Sequence, residues 1–257
     1  MRTEAGGITL TDEITVRLIQ QCGGDHITVA AAKVSTTGEE ALALASPGAQ
    51  EGNAGLINYL TAHRHGTPAE HGLMTFFVHA PAFVWWEWVR HRVGWALDCP
   101  DLGSDMSFNL ESGRYRKLEP VFWVPSRDRK MVPDKGHKSA RPRFRAANPG
   151  HHAAAVARMA QGYRAAWSAY SAMVADSVAN EVARAVLGFG VYYSGWVSCN
   201  PRSLMSFLSL RTHDPAARFP SFPQAEIETA ARAAEEVFAR HWPVQHAAFV
   251  RNGRVGP

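Results

Sequence analysis

Met74-Thr75-Phe76-Phe77-Val78-His79-Ala80-Pro81, continuing as Ala82-Phe83-Val84-Trp85-Trp86-Glu87-Trp88-Val89-Arg90-His91-Arg92, changes its period at the proline. Ahead of it, Met74, Phe76 and Val78 alternate with Thr75, Phe77 and His79, which is a strand pattern. Pro81 suits a helix start, because the amide it lacks would go unbonded in a first turn anyway. Residues 81–91 are therefore predicted to form an aromatic-rich helix. Glu87, Arg90 and His91 lie three and four apart, so they share one helical face.

Outward from this switch, strands and helices continue to mix. Residues 8–20 alternate through Ile8, Leu10, Ile14, Val16 and Leu18, the mark of a strand or hairpin. Val29 to Val34 is Ala-rich and begins a helix, and 53–63 carries Leu56, Ile57 and Leu60 at helical spacing before Thr67-Pro68 breaks it. Residues 93–106 read as a loop with Gly94, Pro100 and Gly103. The stretch 125–150 holds Arg127, Arg129, Lys130, Lys135, Lys138, Arg141, Arg143 and Arg145 among prolines and reads as a mobile surface excursion. Val156, Met159, Tyr163, Trp167, Tyr170 and Val174 then trace one buried stripe, giving the clearest helix of the chain. A second helix over 179–188 carries Arg184, and a strand runs through Val191–Val197. Asn200-Pro201 combines a cap with a first-turn proline, so a helix runs from there to about Leu210, with Arg211 at its end. The last helix is predicted over 223–240. With no internal repeat and no clean linker, residues 1–257 read as a single α+β domain.

Composition narrows the function classes. The 257 residues are 46% hydrophobic, enough for a substantial core. No apolar run reaches the length of a membrane span, and Met1-Arg2-Thr3-Glu4 lacks a secretory apolar region. Cys22, Cys99 and Cys199 show no spacing suited to zinc or to a disulfide framework, so the expected setting is reduced and cytoplasmic, with no metal. A net charge of +4 favours anionic partners without choosing among nucleotides, folates and nucleic acid.

Chemistry concentrates in Arg90-His91-Arg92 and in Ser107-Phe108-Asn109-Leu110-Glu111-Ser112-Gly113-Arg114-Tyr115. Arginine forks match phosphate oxygens and carbonyl pairs, and Ser-Gly backbone amides can close a small anion nest. Together these groups suit a planar, phosphorylated ligand. Read by charge alone, the same residues are a solvated basic helix end.

From about Asp25 to Ile227 the chain resembles the flavin-dependent thymidylate synthases. The resemblance is carried by His65-Gly66-Thr67-Pro68-Ala69-Glu70-His71, by Arg90-His91-Arg92, by Ser107 to Tyr115, by Glu181-Val182-Ala183-Arg184 and by Asn200-Pro201-Arg202-Ser203-Leu204 with Leu210-Arg211 behind it. It implies transfer of a one-carbon unit from methylenetetrahydrofolate to C5 of a uracil nucleotide, with hydride supplied through FAD and NADPH as reductant. It also implies a homotetramer with shared active sites and no cysteine nucleophile. By motif position, Arg211 is the catalytic residue at the uracil edge, where a fixed cation favours the anion formed when N3 ionises. Arg114, Ser112 and Gly113, with Arg184 as a second arm, fall at the nucleotide phosphate, and Glu87, Arg90 and Glu111 at the nucleotide. Ser35, His65, Thr67, Glu70, Arg90, His91, Arg92, Asn109, Asn200, Arg202 and Ser206 fall where the family contacts FAD.

Four departures bear on substrate choice. About a dozen extra residues, within 93–106, separate the Arg-His-Arg triplet from Ser107. The family order Asn-Glu-x-Ser reads Asn109-Leu110-Glu111-Ser112, so the acid has moved by one position. Glu87 stands for a usual glutamine and Ser206 for a usual asparagine. The histidine expected after Arg211 is out of frame, with His213 early and Phe222 at its aligned place. A carboxylate at 87 accepts hydrogen bonds but donates none unless protonated. These changes point to retained chemistry with altered substrate choice: UMP in place of or beside dUMP, as in a modified-nucleoside or antibiotic pathway. The alternatives are a strict dUMP-to-dTMP synthase and, in another class, a basic nucleic-acid-binding protein using 125–146.

Overall fold

Pro81 does mark a change of element in the computed structural model of the chain, which describes residues 2–48, 53–91, 106–134 and 143–257. In chain order the strands are β1 (Arg2–Ala5), β2 (Ile8–Thr11), β3 (Thr15–Cys22), β4 (Leu73–Pro81), β5 (Ser107–Leu110), β6 (Val121–Trp123), β7 (Lys130–Pro133), β8 (Phe144–Ala146) and β9 (Tyr192–Cys199). The α-helices are α1 (Asp25–Thr37), α2 (Ala54–Ala62), α3 (Ala82–Trp88), α4 (Pro149–Ala175), α5 (Asn180–Ala183), α6 (Pro201–Arg211), α7 (Ala225–His241) and α8 (Pro243–Arg251). The class is α+β. Most strand pairs run antiparallel, and no helix among the described residues is long and apolar enough to cross a membrane. Contacts divide the chain into two units, each assembled from three segments.

The first unit comprises Met1–Ile14, Ala80–Phe83 and Glu111–Tyr193. Its sheet has the order β1-β2-β6, with β1 antiparallel and β6 parallel to β2. Ile8, Leu10, Phe122, Val124 and Val191 form a buried cluster, and α4 lays Val156, Met159, Tyr163 and Trp167 against it. That is the helical stripe of the sequence meeting the alternating face of a strand. Tyr163 stacks on Phe122 at 4.7 Å, and a side chain at Gly190 would collide with the Tyr163 hydroxyl. Tyr170 is fully buried, and its hydroxyl accepts the Leu118 amide at 3.0 Å, which offsets the cost of hiding a polar tip. Asn148 caps α4 by accepting the His151 amide at 2.8 Å.

The second unit comprises Thr15–His79, Val84–Leu110 and Ser194–Pro257. Its sheet has the order β3-β4-β9-β5. Helix α6 buries Leu204, Met205, Phe207 and Leu208; α7 packs against it and buries Ile227, Ala230, Ala231, Ala234 and Phe238. Alanine at three of these buried positions lets neighbouring elements approach α7 closely. Val29, Ile57 and Ala248 make a further small cluster joining α1, α2 and α8.

Four expectations need correction. Residues 8–20 form neither one strand nor a hairpin: β2 pairs with β1 and β6, while β3 pairs with β4. The basic stretch 125–150 is not simply an irregular excursion, because β7 and β8 pair antiparallel within it; their backbone bonds form while Arg127, Lys130, Arg143 and Arg145 stay exposed. The helix predicted over 179–188 is only α5 followed by a 3₁₀ turn at Arg184–Val186. Finally, α8 follows the helix expected to be last. Pro243 opens it, and the buried Asp25 carboxylate caps it from far away in sequence, accepting the Val244 and Gln245 amides at 2.8 and 2.9 Å. Burial pushes the Asp25 carboxyl up, against the pull of those two amides. The 93–106 loop lies outside the described residues except for Met106, as do Arg92 and Cys99.

Candidate functional site

Two groups of side chains emerge, one in each unit. In the second unit, α6 is fixed by its own sequence: Asn200 Oδ1 accepts the Ser203 amide at 2.8 Å and Pro201 occupies the first turn. The helix runs from there to Arg211, where Thr212 turns to extended backbone. There the guanidinium donates from Nη1 to Glu87 at 2.7 Å, from Nη2 to the Glu87 carbonyl at 3.3 Å and from Nε to His91 Nε2 at 2.8 Å. Glu87 comes from α3 and His91 from the turn after it, so the shared face read from their spacing is the face that meets Arg211. N–H donors remain for a ligand carbonyl.

The electrostatics follow from burial. His91 is 7% exposed and packs edge-on against Phe207 at 4.9 Å. Desolvation, reinforced by the Arg211 cation, lowers its pKa to about 4. It is thus neutral at pH 7, with the proton on Nδ1 because Nε2 accepts from Arg211. Burial also pushes the Glu87 carboxyl up, while Arg211 and Arg90 pull it down. Arg90 itself is exposed.

At the opposite end of α6, Arg202 pairs with Glu70 and donates from Nε to the Pro257 backbone oxygen at 3.0 Å. Its guanidinium lies across Gly66, where a side chain would displace it. Ser206 helps line an open pocket of about 450 Å³ together with Arg64, Arg202, Phe219, Arg254 and the segment Val255–Pro257. Guanidinium and hydroxyl donors around a concave space are the right chemistry for a phosphate-bearing cofactor. Asn200 spends its Oδ1 on the helix cap. Thr67 opens the 3₁₀ turn Thr67–Glu70 and is exposed, as is His65, which lies edge-on to Tyr59 at 6.0 Å. Ser35 is on the exposed face of α1, its hydroxyl donating to the Ala32 carbonyl at 3.0 Å, and among the described residues no hydrogen bond or ion pair joins it to this group.

In the first unit, Ser112-Gly113-Arg114 makes a tight turn. Gly113 has φ of 59°, and the Ser112 hydroxyl accepts the Arg114 amide at 3.0 Å. Arg184 donates to the Ser112 carbonyl, and Arg114 donates from Nε to Glu181 at 2.7 Å. The two expected phosphate arms therefore flank the same turn. Glu111 is largely covered and lies 3.4 Å from Arg116; Tyr193 feels both Glu111 and Arg184, although burial is the main reason its hydroxyl pKa is raised. Leu110, in the second unit, packs over Gly195 with Asn109 paired to Trp196 on the edge strand.

Sequence reasoning missed three participants: Glu181 as the Arg114 partner, Arg64, and the segment Val255–Pro257. Only Glu181 carried a signal, since it stood inside a quoted motif. Cys199 is buried and its thiol is pushed up to about 12, and Cys22 is exposed with no base assigned to it, so neither is set up as a nucleophile. His213 packs at a tilt against Phe222, 4.8 Å between ring centres, and hydrogen-bonds the Ser221 carbonyl at 2.7 Å.

Known proteins match this arrangement over nearly its whole length. The family model described as thymidylate synthase complementing protein covers residues 17–244. A flavin-dependent thymidylate synthase of Streptomyces coelicolor is 47% identical, over 97% of this chain and 96% of that protein. One from Tropheryma whipplei is 38% identical, over 95% of each. Among solved structures, the UMP/dUMP methylase PolB from Streptomyces cacaoi bound with 5-Br dUMP has a TM-score of 0.83 at 38% identity, covering 96% of this chain and 99% of that one. The same methylase bound with 5-Br UMP has a TM-score of 0.81 at 37% identity, covering 96% and 98%. The chain is an enzyme of the methyltransferase class and belongs to the flavin-dependent thymidylate synthase family.

Proposed function

We propose that this chain reductively methylates C5 of uracil in a uridine monophosphate, accepting both dUMP and UMP. Methylenetetrahydrofolate is the carbon donor and NADPH the reductant through FAD, in a cytoplasmic homotetramer with shared active sites, the chain acting as one functional domain. The observation that carries this reading is Arg211, held by Glu87 and His91 with donors to spare. A cation fixed at the uracil edge stabilises negative charge as N3 ionises and so raises electron density at C5. Because its partners hold it in place beforehand, little reorganisation is needed when that charge develops.

The remaining residues take supporting roles. Arg114 and Arg184, flanking the Ser112-Gly113 turn, take the nucleotide phosphate. Arg202, Ser206 and the pocket beside them suit the flavin, as do Glu70 and His91; bound there, the flavin supplies hydride chemistry. Acceptance of UMP is supported by the methylase that was solved with both 5-Br dUMP and 5-Br UMP. The narrower reading, a strict dUMP-to-dTMP synthase, is supported by the higher identity to the Streptomyces coelicolor thymidylate synthase.

Tritium release from [5-³H]dUMP and [5-³H]UMP, with methylenetetrahydrofolate, NADPH and FAD present, tests the proposal. Release from both is expected. Release from dUMP alone reduces the function to thymidylate synthesis, and release from neither removes it.

A further inference from the structure

Helix α2 ends in an unusual way. His65 donates its amide to the Leu60 carbonyl at 2.8 Å and Arg64 donates its amide to the Thr61 carbonyl at 3.2 Å. This pair of bonds closes a helix through a residue in the left-handed region, a position that glycine favours because it has no Cβ to clash. Here the residue is Arg64, with φ of 62°. A non-glycine residue persists in that conformation only where the surroundings over-determine it, and such positions gather at ligand clamps.

What the arginine gains is a place at the pocket. Arg64 lines the same 450 Å³ space as Arg202 and Ser206, and its Nη2 donates to the Gly256 carbonyl at 3.2 Å. The segment it touches is anchored: Arg254 is 6% exposed and donates to Glu235 and to Thr212 Oγ1, each at 2.8 Å. Gly256 lies so close to the Ser206 backbone that a Cβ would stand 3.1 Å from its amide nitrogen. Three arginines thus meet at this pocket, but they differ in charge balance. Arg202 faces Glu70 and Arg254 faces Glu235, whereas Arg64 has no carboxylate partner among the described residues. Its one neutral acceptor is readily exchanged, since a charge-assisted bond to phosphate is stronger than a bond to a carbonyl.

We propose that Arg64 is an anion-binding arm of this pocket: its guanidinium rests on the Gly256 carbonyl and takes a phosphate of the flavin dinucleotide when the cofactor binds. The assignment rests on the FAD reading above. It makes Arg64 a cofactor-binding residue, with Val255–Pro257 as its rest.

Variants at position 64 separate this role from a structural one. Arg64→Gly relieves the left-handed strain and Arg64→Asn tolerates it, so both variants should melt at or above the wild-type temperature. Full-length protein stripped of flavin is titrated with FAD and, separately, with riboflavin, which carries no phosphate, by quenching of flavin fluorescence. Both variants should bind FAD about ten- to a hundredfold more weakly, the range for one lost charge-assisted hydrogen bond, while riboflavin binding is unchanged. FAD affinity within twofold of wild type overturns the proposal. So does an equal loss for FAD and riboflavin, or a fall in melting temperature that tracks the loss. If wild-type protein binds no FAD at all, it is the cofactor reading itself that fails, and the two failures are told apart by that first titration.

Discussion

Arg211 and Arg114 are both expected to hold one nucleotide, yet the protein treats them differently. Arg211 is 19% exposed, locked to a carboxylate, a carbonyl and an imidazole. Arg114 is 51% exposed and faces Glu181, itself 49% exposed, through one ion pair. A half-buried, multiply bonded guanidinium is preorganised, and removing it strands its partners. An exposed ion pair contributes about 0–1 kcal/mol and is easily traded for a phosphate. On the proposed function, the contrast separates a group that stabilises charge from a group that exchanges its partner for a ligand.

Arg211→Ala should break that contrast most severely. Turnover in the tritium assay should fall about 100- to 1000-fold, the usual cost of losing a fixed donor at developing charge. Denaturant unfolding should show a loss of about 2–3 kcal/mol, because Glu87 and His91 keep their burial and lose their partner. Stability unchanged by this variant would mean the grip is not formed in solution. Arg114→Ala should do the reverse, raising the nucleotide KM about ten- to a hundredfold while stability stays within about 0.5 kcal/mol.

The His91 imidazole sharpens the comparison through pH. Its folded pKa of about 4 lies below its ordinary value of 6.5, so the unfolded chain binds the proton more readily. Stability from this group is complete above pH 6.5 and is lost as pH falls toward about 4, by at most roughly 3 kcal/mol. Unfolding free energies of wild type and His91→Gln across that window should converge as the pH falls; parallel curves would contradict the assignment. The smallest effect belongs to Glu87→Gln. It keeps an acceptor for Arg211 but removes the charge, and should cost about 1 kcal/mol while shifting the ratio of kcat/KM for UMP over dUMP; an unchanged ratio would deny Glu87 a part in substrate choice.

Legibility in the sequence followed the distance between interacting residues. Helix α6 was readable because its cap, its proline and its apolar residues are contiguous. Helix α8 was not, since Asp25 supplies its cap. The Glu87–His91 face was readable from a spacing of four, but its partner Arg211 lies 120 residues beyond His91 and was reachable only through motif order. The displaced acid was ambiguous on paper. In the molecule Leu110 ends the edge strand over Gly195, and Glu111 turns in beside Arg116. Ser35 and Asn109 were placed at the cofactor by resemblance, and among the described residues no hydrogen bond or ion pair links either to the other expected cofactor residues.

Gly66 has one more consequence. Because the Arg202 guanidinium lies where a Cβ at 66 would go, a side chain at 66 makes the flexible end of Arg202 shift, and with it the contacts to Glu70 and to the Pro257 backbone oxygen. The pair therefore reports on how the guanidinium is seated in this corner. A relative with arginine at the second position and a side chain at the first is expected to carry that guanidinium along a different path.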